Sequence, residues 1–127
     1  MKESIMPARI LIVDDAPQTR TDLSSLFGGG PYIVDSAEDG LDGLQKGTET
    51  AYDLIIADVN MPRMGGLEMI AKLRDGLVNR ETPVFVLTTE SLRRHASTCE
   101  ELGASVWIVK PYDPILLKEC ASEFLGV

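Results

Sequence analysis

Leu54-Ile55-Ile56-Ala57 is a wholly apolar run that stops on a carboxylate, Asp58, and passes at once into loop-forming residues (Pro62, Gly65, Gly66). Such a run, with no polar alternation, suits a strand buried on both faces, as in a parallel sheet covered by helices. Ile10 to Val13, Val84 to Leu87 and Val106 to Val109 have the same character. All are far too short to span a bilayer. Asp58 would then stand at the carboxyl end of a central strand, where open α/β sheets place their chemistry. It is the first candidate for a reacting group.

Between these runs the apolar residues recur at helical spacing. Ala8 to Val13 reads as a first strand, followed by a helix opened by Pro17, with Asp15 or Ala16 as cap and Leu23, Leu26 and Phe27 inward. Gly28-Gly29-Gly30-Pro31 ends it as a flexible connection. Tyr32 to Ala37 is the second strand, and Asp39-Gly40 leads into a short helix with Leu41 and Leu44 inward and a soft end near Gly47. Asp53 to Asp58 is the third strand. Gly66 to Asp75 is a helix with Leu67, Ile70 and Leu73 at helical spacing, and the polar Asn79 to Thr82 connects it to a fourth strand, Pro83 to Thr88. A fourth helix is expected over about Leu92 to Leu102, then a fifth strand over Ser105 to Val109. A last helix opened by Pro114 has Leu116, Leu117, Cys120 and Phe124 as its core stripe. Five βα units in one chain imply a single α/β domain, 1–127 with a core of about 8–125, built on a parallel sheet with helices on both faces. The strand order 2-1-3-4-5 is adopted from known doubly wound sheets of five strands rather than derived.

Composition excludes several function classes. The formal net charge of −8 argues against a nucleic-acid partner, which needs clustered Lys and Arg, and against a polybasic membrane attachment. The N-terminus has no signal-peptide apolar region, so the chain reads as cytoplasmic. Cys99 and Cys120 lack CxxC spacing and read as buried free thiols. His95, the only histidine, lies in the polar stretch Arg93-Arg94-His95, which leaves a hydrolase triad little support.

The strand ends carry the chemistry. Strand 1 ends in Asp14-Asp15, strand 3 in Asp58, strand 4 in Thr88 and strand 5 in Lys110. Each signal alone is weak, since an Asp pair before a helix is usually a cap. Their conjunction at one crevice is not. Three carboxylates repel one another, and one lysine cannot neutralise them. Oxygen ligands without His or Cys suit Mg²⁺. The same acidic residues would repel an FMN phosphate.

The ordered set Val13-Asp14-Asp15, Asp58-Val59-Asn60-Met61-Pro62 with Met64-Gly65-Gly66, Leu87-Thr88-Thr89-Glu90 and Val109-Lys110-Pro111-Tyr112 resembles the receiver domains of two-component response regulators, of the CheY-like single-domain type. The likeness runs from Arg9 to Phe124. It implies that Asp58 accepts a phosphoryl group from a histidine of a sensor kinase or phosphotransfer protein. Asp15, Asp58 and the backbone carbonyl of Asn60 would ligate Mg²⁺, with Asp14 acting through a bound water. Lys110 and the Thr88 hydroxyl would each hold a phosphoryl oxygen, and the Lys110–Pro111 bond would be cis. Asn60 and Glu90 would tune a fairly rapid self-dephosphorylation, with Thr89 narrowing access. Thr88 and Trp107 would form the switch, although the family more often has Tyr or Phe at position 107.

By the same resemblance, phosphorylation would reshape the face of the fourth helix, fifth strand and last helix for an output partner. The chain would be no enzyme beyond its own phosphorylation and dephosphorylation. It is expected to be a stand-alone regulator, in chemotaxis or a phosphorelay; the alternative is a receiver excised from a larger regulator or hybrid kinase. An alternative from another class is a Mg²⁺-dependent aspartyl-phosphate phosphatase, which would place its nucleophile on strand 1 with an acid two residues on. Asp14-Asp15-Ala16 lacks that spacing.

Overall fold

The apolar runs lie side by side as one parallel sheet. Its strands are β1 (Ala8–Val13), β2 (Tyr32–Ala37), β3 (Leu54–Asp58), β4 (Val84–Thr88) and β5 (Ala104–Val109), in the order β2-β1-β3-β4-β5. The computed structural model describes residues 7–89 and 103–127. The expected fourth helix, Glu90, Arg93-Arg94-His95 and Cys99 lie outside the described residues. Within them are α1 (Pro17–Phe27), α2 (Gly40–Glu49), α3 (Gly66–Arg74) and a C-terminal helix (Pro114–Leu125). None of these is long and apolar enough to cross a membrane.

Two cores explain why the strands are continuously apolar. Leu11, Val13, Ile55 and Ala57 pack with Met69, Ile70 and Leu73 of α3 on one face. The alternate residues Ile10, Ile12, Leu54 and Ile56 pack with Leu23 and Phe27 of α1 and Leu117 of the C-terminal helix on the other. Every residue of β3 is buried, as a strand covered on both sides requires. Proline opens α1 and the C-terminal helix, where its missing N–H costs nothing. Ala16 holds the cap position of α1 without a side-chain bond; the Asp14 carboxylate accepts the Ala16 N–H instead, at 2.9 Å.

In two helices part of the expected stripe packs inward, Leu44 in α2 and Leu117 with Cys120 in the C-terminal helix, and part does not. In α2 the buried residues are Gly40, Gly43 and Gly47, while Leu41 is 42% exposed. A Cβ on Gly43 would meet the Met69 sulfur at 2.6 Å, so the missing side chain is what lets α2 lie close against α3. In the C-terminal helix Leu117 and Ala121 point inward. Leu116 and Phe124 are exposed, although Phe124 still meets Phe85 edge to face at 5.1 Å, and Cys120 is a half-buried free thiol.

The amino end of the sheet is closed by Asn79, a buried residue at φ 62°. Its carbonyl oxygen accepts from the Tyr52 N–H and the Thr82 hydroxyl, both at 2.8 Å. Its amide donates to the carbonyls of Gly47 at 2.6 Å and Thr50 at 2.8 Å. One side chain thus ties the end of α2 to the entries of β3 and β4. Asn79→Ala leaves these buried groups unmatched and puts a less tolerant residue at positive φ. It is expected to cost about 2–3 kcal/mol in urea denaturation. A loss below about 0.5 kcal/mol would show that water replaces the amide.

Candidate functional site

Strand register builds the site. Val13 pairs with Ala57, so Asp14, the next residue, arrives beside Asp58 at the carboxyl end of β3. Asp58 pairs with Leu87, which places Thr88 one step further along β4. Thr88 pairs with Val109, and its carbonyl accepts the Lys110 N–H at 2.8 Å, which sets the start of the next loop. Four strand ends distant in sequence meet in this way.

Asp14, Asp15 and Asp58 each offer a carboxylate oxygen within 4.8 Å of the others. Asp14 and Asp58 are buried and Asp15 is exposed. The Lys110 ammonium lies 3.3 Å from Asp58 Oδ2 and 3.4 Å from Asp14 Oδ2. A second cation also contributes: Arg20, from α1, donates through Nη1 to the Asp14 backbone carbonyl at 2.7 Å. Arg20 was not legible as a site neighbour, because its target is a main-chain atom.

The electrostatics are those of a crowded acidic crevice. Burial pushes the Asp58 carboxyl above its ordinary value; Lys110 opposes this and the neighbouring Asp14 reinforces it. For Lys110 burial pulls the other way, yet the combined attraction of Asp14 and Asp58 holds the ammonium above its ordinary value. One ammonium between two buried carboxylates, with a third at the mouth, leaves net negative charge. An all-oxygen donor set of this kind fits a hard divalent cation such as Mg²⁺.

The other expected site residues are placed as follows. Thr88 is fully buried behind Asp58. Asn60 is exposed in the connection from β3 to α3. Thr89 is exposed and, with Leu23, Leu26, Lys110, Pro111 and Tyr112, lines a cleft of about 740 Å³ beside the crevice. The Lys110–Pro111 peptide is cis. Trp107 pairs with Val86 on β4 and is half-buried against the core on the α2 and α3 side of the sheet. Arg63 and Asp39, which pair beside the β3–α3 connection, were not expected.

Comparison with known proteins agrees with this layout. The model of the response regulator receiver domain matches residues 10–122. The chemotaxis protein CheY1 of Helicobacter pylori is 32% identical over 120 residues, covering 93% of this chain and 97% of that protein. The transcriptional regulatory protein ResD of Bacillus subtilis is 34% identical over 106 residues, covering 84% of this chain but 43% of ResD. Among solved structures, chemotaxis protein CheY4 of Vibrio cholerae superposes with a TM-score of 0.86 at 35% identity, covering 93% of this chain and 98% of that one. The Thermotoga maritima response regulator TrrA, in complex with Mg²⁺ and BeF, gives a TM-score of 0.81 at 32% identity, covering 93% of this chain and 99% of that one.

Proposed function

The chain belongs to the response regulator receiver domains, and from that premise we propose that it is a phosphorylation-controlled switch whose acceptor is the Asp58 carboxylate. The observation that carries this reading is the meeting of Asp58 with Asp14, Asp15 and the Lys110 ammonium at the carboxyl end of the central strand.

The reaction is transfer of a phosphoryl group from a phosphohistidine. An Asp58 oxygen forms the new P–O bond as the P–N bond breaks, and the imidazole leaves. The transition state is loose and in line, so the protein contributes position and charge rather than covalent chemistry. Burial strips water from Asp58 and makes its carboxylate the more basic nucleophile. Lys110, already within 3.3 Å, takes up an oxygen of the arriving group, and the Thr88 hydroxyl takes another. Asp14, Asp15, Asp58 and the Asn60 carbonyl would hold Mg²⁺, which supplies the remaining positive charge on the phosphoryl oxygens. TrrA, known with Mg²⁺ and BeF, supports this part of the reading. The apolar cleft beside Lys110 offers a surface on which the donor domain seats. Hydrolysis then resets the switch, with Asn60, Thr89 and Glu90 setting its rate. The chain therefore acts on itself and turns over no separate substrate.

The output surface is the flank formed by β5 and the C-terminal helix. Val109, Ile115 and Leu116 are large apolar side chains exposed there. Trp107, on the same strand and packed partly against the core, is the reporter of movement in β5.

The test is incubation with acetyl phosphate, followed by intact-protein mass spectrometry. Mg²⁺ should bring one phosphoryl group onto each chain, and Asp58→Asn or EDTA should abolish it. Beryllofluoride with Mg²⁺ should change Trp107 fluorescence in the wild type and not in Asp58→Asn. Sustained phosphate release with no modified chain would point to a phosphatase instead.

A further inference from the structure

Asn60, whose carbonyl would join the three carboxylates in holding a cation, sits in the connection between β3 and α3. Several bonds hold that connection, three of which matter here. The Gly66 N–H donates to the Val59 carbonyl at 2.9 Å, and the Gly40 N–H donates to the Met64 carbonyl at 3.0 Å. The third is made by Arg63. Its φ is 66°, in the left-handed region where a residue with a side chain is strained.

The Arg63 side chain reaches across to the start of α2. Nε donates to Asp39 Oδ2 at 2.6 Å, Nη2 pairs with the same oxygen, and Nη2 lies 3.7 Å from Glu38 Oε1. Asp39 is 3% exposed, and its other oxygen caps α2 by accepting the Asp42 N–H at 2.9 Å. An ion pair on an open surface contributes little. Here the carboxylate is covered and takes two contacts from Arg63, so the pairing is firmer than one on open surface even though Arg63 itself is half exposed. The pairing therefore has the strength to hold a strained turn three residues from Asn60.

We propose that Arg63 is a positioning residue for the cation site. By pinning the β3–α3 connection to the cap of α2, it holds Asn60 where its carbonyl meets a cation bound by Asp14, Asp15 and Asp58. Arg63 acts through the backbone of Asn60-Met61-Pro62 and not by contact with the cation. The inference rests on the receiver reading given above.

The experiment is calorimetric titration of the full chain with Mg²⁺. Arg63→Met and Asp39→Asn are the main variants; the asparagine keeps the cap acceptor for Asp42 and removes only the charge. Each should weaken Mg²⁺ binding about tenfold, as loss of a supporting contact to a metal ligand does. The double variant should be no weaker than either single one, and Arg63→Lys should recover part of the affinity. Asn79→Ala, which loosens the opposite end of the sheet, should leave Mg²⁺ affinity unchanged while lowering stability. Wild-type affinity in Arg63→Met and Asp39→Asn would overturn the pinning role, as would equal weakening in Asn79→Ala. If Arg63→Met does not fold, Asp39→Asn decides alone. Absence of saturable Mg²⁺ binding by the wild type would overturn the receiver reading itself, and the pinning role with it.

Discussion

Asp58→Asn is expected to make the cation-free protein more stable at neutral pH, by about 1–2 kcal/mol, and to reduce the stabilisation that Mg²⁺ brings. The reason lies in the crevice. Burial holds the Asp58 carboxyl above its ordinary value of 3.8; Lys110 draws it down by more than the repulsion of Asp14 adds, but not enough to cancel burial. A carboxyl whose folded pKa is raised binds its proton more tightly in the folded chain than in the unfolded one. Stability therefore falls as pH rises from the ordinary value through the raised one, and the penalty is fully present above that window. Asparagine is of similar size and carries no charge, so its variant lacks this decline. The two proteins should converge at pH values below the ordinary carboxylate range and diverge above it. On the receiver reading, Mg²⁺ should bind the folded wild type and restore what ionised Asp58 costs, by mass action. Urea titrations of both proteins, with EDTA and with Mg²⁺ across pH, check every part of this. A less stable Asp58→Asn protein at neutral pH would mean that the pairing with Lys110 outweighs desolvation.

The place of these groups at the strand ends was legible in the sequence because parallel, doubly covered strands are continuous apolar runs. Wherever such a run stops on Asp14, Asp58, Thr88 or Lys110, the stop marks the carboxyl edge of the sheet. What the runs do not reveal is which ends are neighbours. The observed order puts β1 between β2 and β3, and only then does Asp14 stand beside Asp58.

The helices were less legible. Periodicity counts apolar side chains, so it favoured Leu41 and Leu44 in α2; Leu44 does pack partly on the core, but the buried positions are Gly40, Gly43 and Gly47. It cannot register a face made by absent side chains. In the C-terminal helix the consecutive Ile115, Leu116 and Leu117 allow several stripes, and packing selects Leu117 with Ala121. Arg63 and Asn79 stayed hidden for another reason. Both are polar residues in connections, and their partners lie far off in the chain: Asp39 for Arg63, and Gly47, Thr50 and Tyr52 for Asn79. No local pattern encodes such a bond.

The second large effect concerns a residue whose importance is entirely spatial. Gly66 opens α3, and its N–H donates to the Val59 carbonyl at 2.9 Å. A Cβ there would sit 2.1 Å from the carbonyl oxygen of Asp58 and 3.1 Å from its carbonyl carbon. Backbone conformation is not the constraint; space is. The obstructing atoms are main chain of a fully buried strand, so no rotamer change relieves the clash. Either the first turn of α3 lifts away, breaking its bond to Val59, or the end of β3 moves and takes the Asp58 carboxylate from Lys110 and Asp14. Gly66→Ala is therefore expected to cost about 3 kcal/mol in urea denaturation, at the upper end for overpacking. It should also slow phosphorylation by acetyl phosphate in the fraction that remains folded. Gly76→Ala is the matched control, because its Cβ would meet only ordinary contacts, the nearest being the Leu73 carbonyl oxygen at 3.5 Å. That variant should lie within about 0.5 kcal/mol of the wild type. Equal stability of the two alanine variants would show that the end of β3 yields freely, and a site built on so compliant a strand could not hold Asp58 in line for transfer.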